Sequence, residues 1–135
     1  MLIFIHGADT FGAKEKLEEF KKRFLEKNNG NSFLISTIET EPRSGSGTSF
    51  DLADFRNKVL SLGFFSEKKM VIMRNKELGI KNQEKELLEV IKKIPEEITL
   101  IFWQKDDGAK FFKTELGKYL LKQKYIFRFT PLSGN

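Results

Sequence analysis

Three short runs in this chain are apolar at every position: Leu2-Ile3-Phe4-Ile5, Met70-Val71-Ile72-Met73 and Leu100-Ile101-Phe102-Trp103. A strand of that kind has no polar side to turn to water, so it belongs in a sheet covered on both faces. Two further runs, Phe33–Ile38 and Tyr125–Phe129, are strand-like but mixed. The first carries Ser36 and Thr37, and the second alternates as Phe127-Arg128-Phe129. These two read as the edges.

Helical segments separate the five runs. Periodicity predicts a helix over about Phe11–Asn28, with Ala13, Leu17, Phe20 and Phe24 inward, and one over Asp51–Leu60, with Leu52, Phe55 and Val59 on one face. A third covers Gln83–Lys93, with Leu87, Leu88 and Ile91 inward, and a fourth covers Lys110–Leu121. Asp9 or Thr10 is placed to cap the first, and Asn28-Asn29-Gly30-Asn31 to stop it. Gly63 stands where a helix C-terminal glycine belongs, and a polar Gly/Ser-rich loop runs from Glu41 to Gly47.

Strand and helix alternate throughout, without an internal repeat, which predicts one domain over 1–135. The fold class is α/β, a three-layer αβα arrangement around a five-stranded parallel sheet. Right-handed crossovers with the mixed strands outermost are compatible with the order 5-1-4-3-2 of P-loop NTPase modules of the AAA+ type. A flavodoxin-like order, 2-1-3-4-5, places the same two strands at the edges.

The chain has no cysteine and a single histidine, His6, so disulfides, thiolate chemistry and multi-histidine metal sites are excluded. Net charge is +5, with the two signs interleaved; this fits a solvated lysine-rich surface better than a dedicated nucleic-acid binder. The first apolar run is too short for a signal peptide, and nothing approaches membrane-spanning length. A reduced, cytoplasmic setting without membrane contact is expected. Phenylalanine is unusually frequent, 14 residues, an apolar payload large enough for some of it to lie outside the core.

In a P-loop domain the first strand runs into G-x-x-x-x-G-K-[ST], whose amides and lysine hold phosphates and whose hydroxyl ligates magnesium. Here Gly7-Ala8-Asp9-Thr10-Phe11-Gly12 supplies both glycines at the right spacing. Ala13 then stands where lysine is required, and Lys14 takes the hydroxyl position. Sliding the register to use Lys14 loses the glycine and puts Glu15 on the metal position. Asp9 adds negative charge where phosphates would sit, and the third strand ends in Arg74-Asn75, with no carboxylate for magnesium. The loop of Gly7, Gly12 and Lys14 is therefore read as degenerate and not functional, with no catalytic residue, metal or cofactor expected. His6, at the carboxyl end of a central strand, reads as a packed or solvent-edge histidine. Asp106-Asp107-Gly108 reads as a turn.

One segment stands apart, Leu60-Ser61-Leu62-Gly63-Phe64-Phe65-Ser66-Glu67-Lys68-Lys69. Two adjacent phenylalanines just past a helix end diverge, so one core cannot easily take both. Composition alone leaves two readings: a protruding pair that fills a partner's pocket, or Phe64 capping the core with Phe65 under the Gly/Ser loop.

Four segments in order resemble the N-terminal domain of the delta subunit of bacterial DNA polymerase III, the clamp-loader wrench. They are Leu2–Phe11; Phe55-Arg56-Asn57 running into Gly63–Ile72; Pro95–Trp103; and the terminal Lys-rich helix with Phe127-Arg128-Phe129-Thr130-Pro131-Leu132. The Phe-Phe-Ser-Glu-Lys-Lys segment is the most specific. The resemblance implies an AAA+-like domain without ATPase activity, whose hydrophobic pair enters a pocket of the beta sliding clamp and helps open the ring. The matching positions are Phe64 and Phe65, with Leu62 one residue off the family's usual run. Implied partners are the clamp, the gamma/tau and delta prime loader subunits, and DNA indirectly or weakly. On this resemblance residues 1–135 are expected to correspond to the family's N-terminal domain, without its lid and collar domains. Two other function classes remain at this stage, an atypical nucleotide-binding protein and a nucleic-acid module using Lys110, Lys113, Lys118 and Lys122.

Overall fold

The computed structural model describes residues 1–40, 51–60, 68–75, 83–105 and 109–130. The segments 41–50, 61–67, 76–82, 106–108 and 131–135 lie outside that description. With them go the Gly/Ser-rich loop, Gly63, the Phe64-Phe65 pair and the Asp106-Asp107-Gly108 turn.

Among the described residues, strands and α-helices alternate as β1 (Leu2–His6), α1 (Thr10–Lys27), β2 (Ile35–Glu39), α2 (Leu52–Leu60), β3 (Lys69–Asn75), α3 (Glu84–Lys92), β4 (Ile98–Gln104), α4 (Glu115–Leu121) and β5 (Tyr125–Arg128). The strands form one sheet ordered β2-β3-β4-β1-β5, with every adjacent pair parallel. Read from the other edge this is 5-1-4-3-2, and the flavodoxin-like alternative is ruled out. The three apolar runs are central and the two mixed runs are the edges, as the polarity of Ser36, Thr37 and Arg128 requires.

Successive residues of each central strand feed opposite faces. Phe4, Val71, Met73, Leu100 and Phe102 pack beneath α2, α3 and α4, against Phe55, Leu87, Ile91, Leu116 and Leu120. Ile3, Ile5, Met70, Ile72, Ile101 and Trp103 face the other way, against Ala13 and Leu17 of α1. Phe4, Phe55, Phe102 and Phe111 are fully buried, each contributing roughly 2–3 kcal/mol by removal from water. Phe102 and Phe111 stack with centroids 5.5 Å apart.

The starts of the second strand and of the last helix differ from the sequence expectation, both because a side chain captures a backbone amide. The second strand starts at Ile35 rather than Phe33, since Asn31 Oδ1 accepts from the Phe33 amide and starts a short 3-10 turn over Ser32–Leu34. The last helix is not continuous from Lys110. Phe111–Lys113 forms a 3-10 turn, and Thr114 then caps α4 by accepting from the Gly117 amide. At α1 the cap is Asp9, whose carboxylate accepts from the Gly12 amide, with Thr10 as the first helical residue.

Candidate functional site

All strands run the same way, so β1, β3 and β4 deliver their last residues to one end of the sheet, where ligands bind in open α/β folds. Gly7 follows β1 with φ of +124°, a conformation that side-chain-bearing residues rarely adopt. The turn brings the chain against the residue that follows β5. The Phe129 amide donates to the His6 carbonyl at 2.8 Å, and the Asp9 amide donates to the Phe129 carbonyl at 3.1 Å. A Cβ placed on Gly7 would lie 1.9 Å from that same carbonyl oxygen.

A phosphate loop works by leaving its amides and the helix N-terminus free to converge on an anion. Here the chain takes those positions itself. Asp9 Oδ1 accepts the Gly12 amide at 3.1 Å, so a fixed carboxylate answers the partial positive charge at the start of α1. A Cβ on Gly12 would meet Asp9 Oδ2 at 2.7 Å and Phe129 Cδ1 at 2.9 Å, so both groups crowd the second glycine. Ala13, in the lysine position, is fully buried beside Leu17 in the core beneath α1. Lys14, the next residue, is exposed.

Where a magnesium-binding acid would end the third strand, Asn75 is fully buried and neutral. Its side chain accepts from Thr40 Oγ1 and donates to Gln104 Oε1, each at 2.5 Å. The Thr40 amide also bonds the Arg74 carbonyl, and the Lys105 amide bonds the Asn75 carbonyl. This relay ties the carboxyl ends of β2, β3 and β4 together. The missing acid is legible in the sequence but the relay is not; its one signal is a pair of uncharged amides, Asn75 and Gln104, each the last residue of a central strand.

His6 ends β1 on the same face as Phe4, its ring stacked on Phe4 at 5.0 Å and edge-on to Phe112 at 5.1 Å. Burial lowers its pKa below 6.5, and the nearby Arg128 charge lowers it further. It is a packed, neutral ring. Among the described residues no group of three or more His, Cys, Asp or Glu is placed to hold a metal ion. No described helix is long and apolar enough to cross a membrane.

Of the residues singled out from sequence, Gly7 and Gly12 come together around Asp9 and Phe129, and Lys14 is exposed. Leu62, Phe64 and Phe65 lie outside the described residues.

The sequence profile of the DNA polymerase III delta subunit family matches residues 4–130, nearly the whole chain. The chain belongs to the DNA polymerase III delta subunit family. Membership places it among proteins of DNA replication. A solved structure similar to it is that of the Bacillus subtilis DNA clamp loader delta protein, with a TM-score of 0.64 at 16% sequence identity. The match covers 96% of this chain and 38% of that one, so the delta-family fold seen here corresponds to well under half of the larger protein. Among curated proteins, none matches the chain by sequence.

Proposed function

We propose that this delta-family chain is a clamp-binding domain that engages the beta sliding clamp and helps open the ring without hydrolysing ATP. The observation that carries this reading is the filled phosphate loop, where the Asp9 carboxylate accepts the Gly12 amide, the Phe129 carbonyl accepts the Asp9 amide, and both residues crowd Gly12. A scaffold of the P-loop type with that loop closed performs no phosphoryl transfer of its own. Its rigid sheet then serves to present a binding element, and the family resemblance assigns that element to Phe64 and Phe65, with Leu62 beside them. We read residues 1–135 as one delta-type N-terminal domain that acts in the cytoplasm. In the assembled loader its partners would include gamma/tau and delta prime, with DNA contacted indirectly or weakly. Exposure of Lys110, Lys113, Lys118 and Lys122 supports such a contact.

The test is direct binding of the chain to its cognate sliding clamp by surface plasmon resonance. Replacing Phe64→Ala together with Phe65→Ala is expected to abolish the interaction. Undiminished affinity in the double variant removes the pair from the mechanism, and absence of binding by the unsubstituted chain removes the clamp-binding reading itself.

A further inference from the structure

Helices α2 and α3 cover the same face of the sheet, yet an open groove of about 240 Å³ runs between them. Leu52, Arg56 and Leu60 are spaced four apart, so they share the face of α2 that lines it. Val90 of α3 completes an apolar floor with the two leucines. The walls carry Arg56 and Lys93 against Glu86 and Glu89, two charges of each sign. All four are exposed, and none makes an ion pair among the described residues. Opposite charges that line one groove and stay unpaired mark two helices held apart.

The size of the groove limits its occupant. Small-molecule sites run to about 300–1,000 Å³, so this one suits a side chain from a protein partner rather than a nucleotide or cofactor.

Its position points to one partner. α2 ends at Leu60 and α3 at Lys92, at the end of the sheet where the strands begin. There the Lys69 amide, at the start of β3, bonds the Glu97 carbonyl at 3.1 Å, so the chain leaving α3 lies against the chain entering β3. Phe64 follows Leu60 and precedes Lys68 by the same number of residues. Covalent reach alone holds it within about 14 Å of each. A standard protein interface covers about 800 Å² on each partner, a disc about 16 Å in radius. A partner that holds Phe64 and Phe65 therefore meets the mouth of the groove between Leu60 and Lys93.

We infer that the α2–α3 groove is a second contact for the sliding clamp, seating an apolar side chain of the clamp over Leu60 and Val90. This rests on the clamp-binding reading above. Burial of that side chain adds apolar area beside the Phe64-Phe65 anchor. The free charges of Arg56, Glu89 and Lys93 stand at the rim, where opposite charges on the clamp set register more than affinity.

The experiment measures clamp affinity by surface plasmon resonance for the unsubstituted chain, Arg56→Trp, Glu89→Trp and Asn57→Trp, with melting temperature as the folding control. The first two substitutions fill the groove from its opposite walls, whereas Asn57 is exposed on α2 outside it. All three are exposed helix positions, where a substitution leaves folding intact. The expected result is a roughly 5–20-fold weaker Kd for each groove variant, with Asn57→Trp unchanged and melting temperatures preserved. Parental affinity in either groove variant overturns this inference and leaves clamp binding standing, and so does equal weakening by Asn57→Trp. If the free chain sediments as a dimer that Arg56→Trp converts to monomer, the groove belongs to a second copy and the inference is wrong. Failure of the unsubstituted chain to bind overturns both readings.

Discussion

The backbone carbonyl of Phe129 accepts the amide of Asp9 at 3.1 Å, while the amide of Phe129 donates to the carbonyl of His6 at 2.8 Å. The residue after the last strand is thereby threaded between the two sides of the loop after the first. Closing the chain's beginning against its end in this way fixes the loop more firmly than a glycine-rich turn would fix itself.

Gly7→Ala is the substitution this contact tolerates least. The new methyl would sit 1.9 Å from the Phe129 carbonyl oxygen, on a backbone with φ of +124°. Destabilisation of about 3 kcal/mol or more is expected, read as a large drop in the urea midpoint. Gly12→Ala should cost less, because the groups it meets, Asp9 Oδ2 and Phe129 Cδ1, are side-chain atoms able to move.

Removing the carboxylate that fills the loop should not create a nucleotide site. Asp9→Ala loses the α1 cap, worth about 1 kcal/mol. Ala13 remains buried where a lysine would be needed. A melting temperature for Asp9→Ala that is lower than the parent's, and unmoved by millimolar Mg-ATP, is the expected result. Stabilisation by Mg-ATP would show that Asp9 alone blocks binding.

Much of this arrangement could be read before the structure. Continuous apolarity placed β1, β3 and β4 in the middle, and the mixed character of Ser36, Thr37 and Arg128 placed β2 and β5 at the edges. The loop's glycines and its missing lysine were plain from spacing. What escaped were contacts between distant positions. Phe129 reaches the loop from the far end of the chain, and Thr40, Asn75 and Gln104 meet across separations of 35 and 29 residues. Local periodicity carries no signal for either. The boundary errors have a different cause, since Asn31 and Thr114 each divert an amide that a regular strand or helix would have used. Leu62, Phe64 and Phe65 rest on sequence resemblance alone.

The Asn75 relay makes a sharp prediction for a conservative-looking change. Asn75→Asp restores the acid of an active P-loop enzyme, but it removes the donor to Gln104 and buries a carboxylate at a fully enclosed position. A loss of about 2–4 kcal/mol at neutral pH is expected, from the lost hydrogen bond to Gln104 and the burial of a charge. The loss should shrink on acidification, as the carboxyl group takes up a proton. Differential scanning calorimetry of Asn75→Asp against the parent at two pH values checks both statements.

His6 gives the fold a pH dependence with a definite sign. Burial, reinforced by Arg128, holds its folded-state pKa below 6.5, so within that interval the unfolded chain binds more protons than the folded one. Stability from this group is complete above 6.5 and falls as the pH drops toward the folded-state value. His6→Phe keeps the stacking on Phe4 and Phe112 without the titration. The melting temperatures of parent and variant should therefore diverge on acidification below about 6.5, with the variant's curve the flatter.

Because every strand of the sheet runs in one direction, the domain has two chemically unlike poles. At the carboxyl pole Phe129, Asp9, Asn75 and Gln104 are interlocked, so sequence drift there threatens folding first. At the amino pole Phe33 projects from a turn whose hydrogen bonds involve only backbone and Asn31. A lineage could exchange that exposed side chain while inheriting the same foldable body.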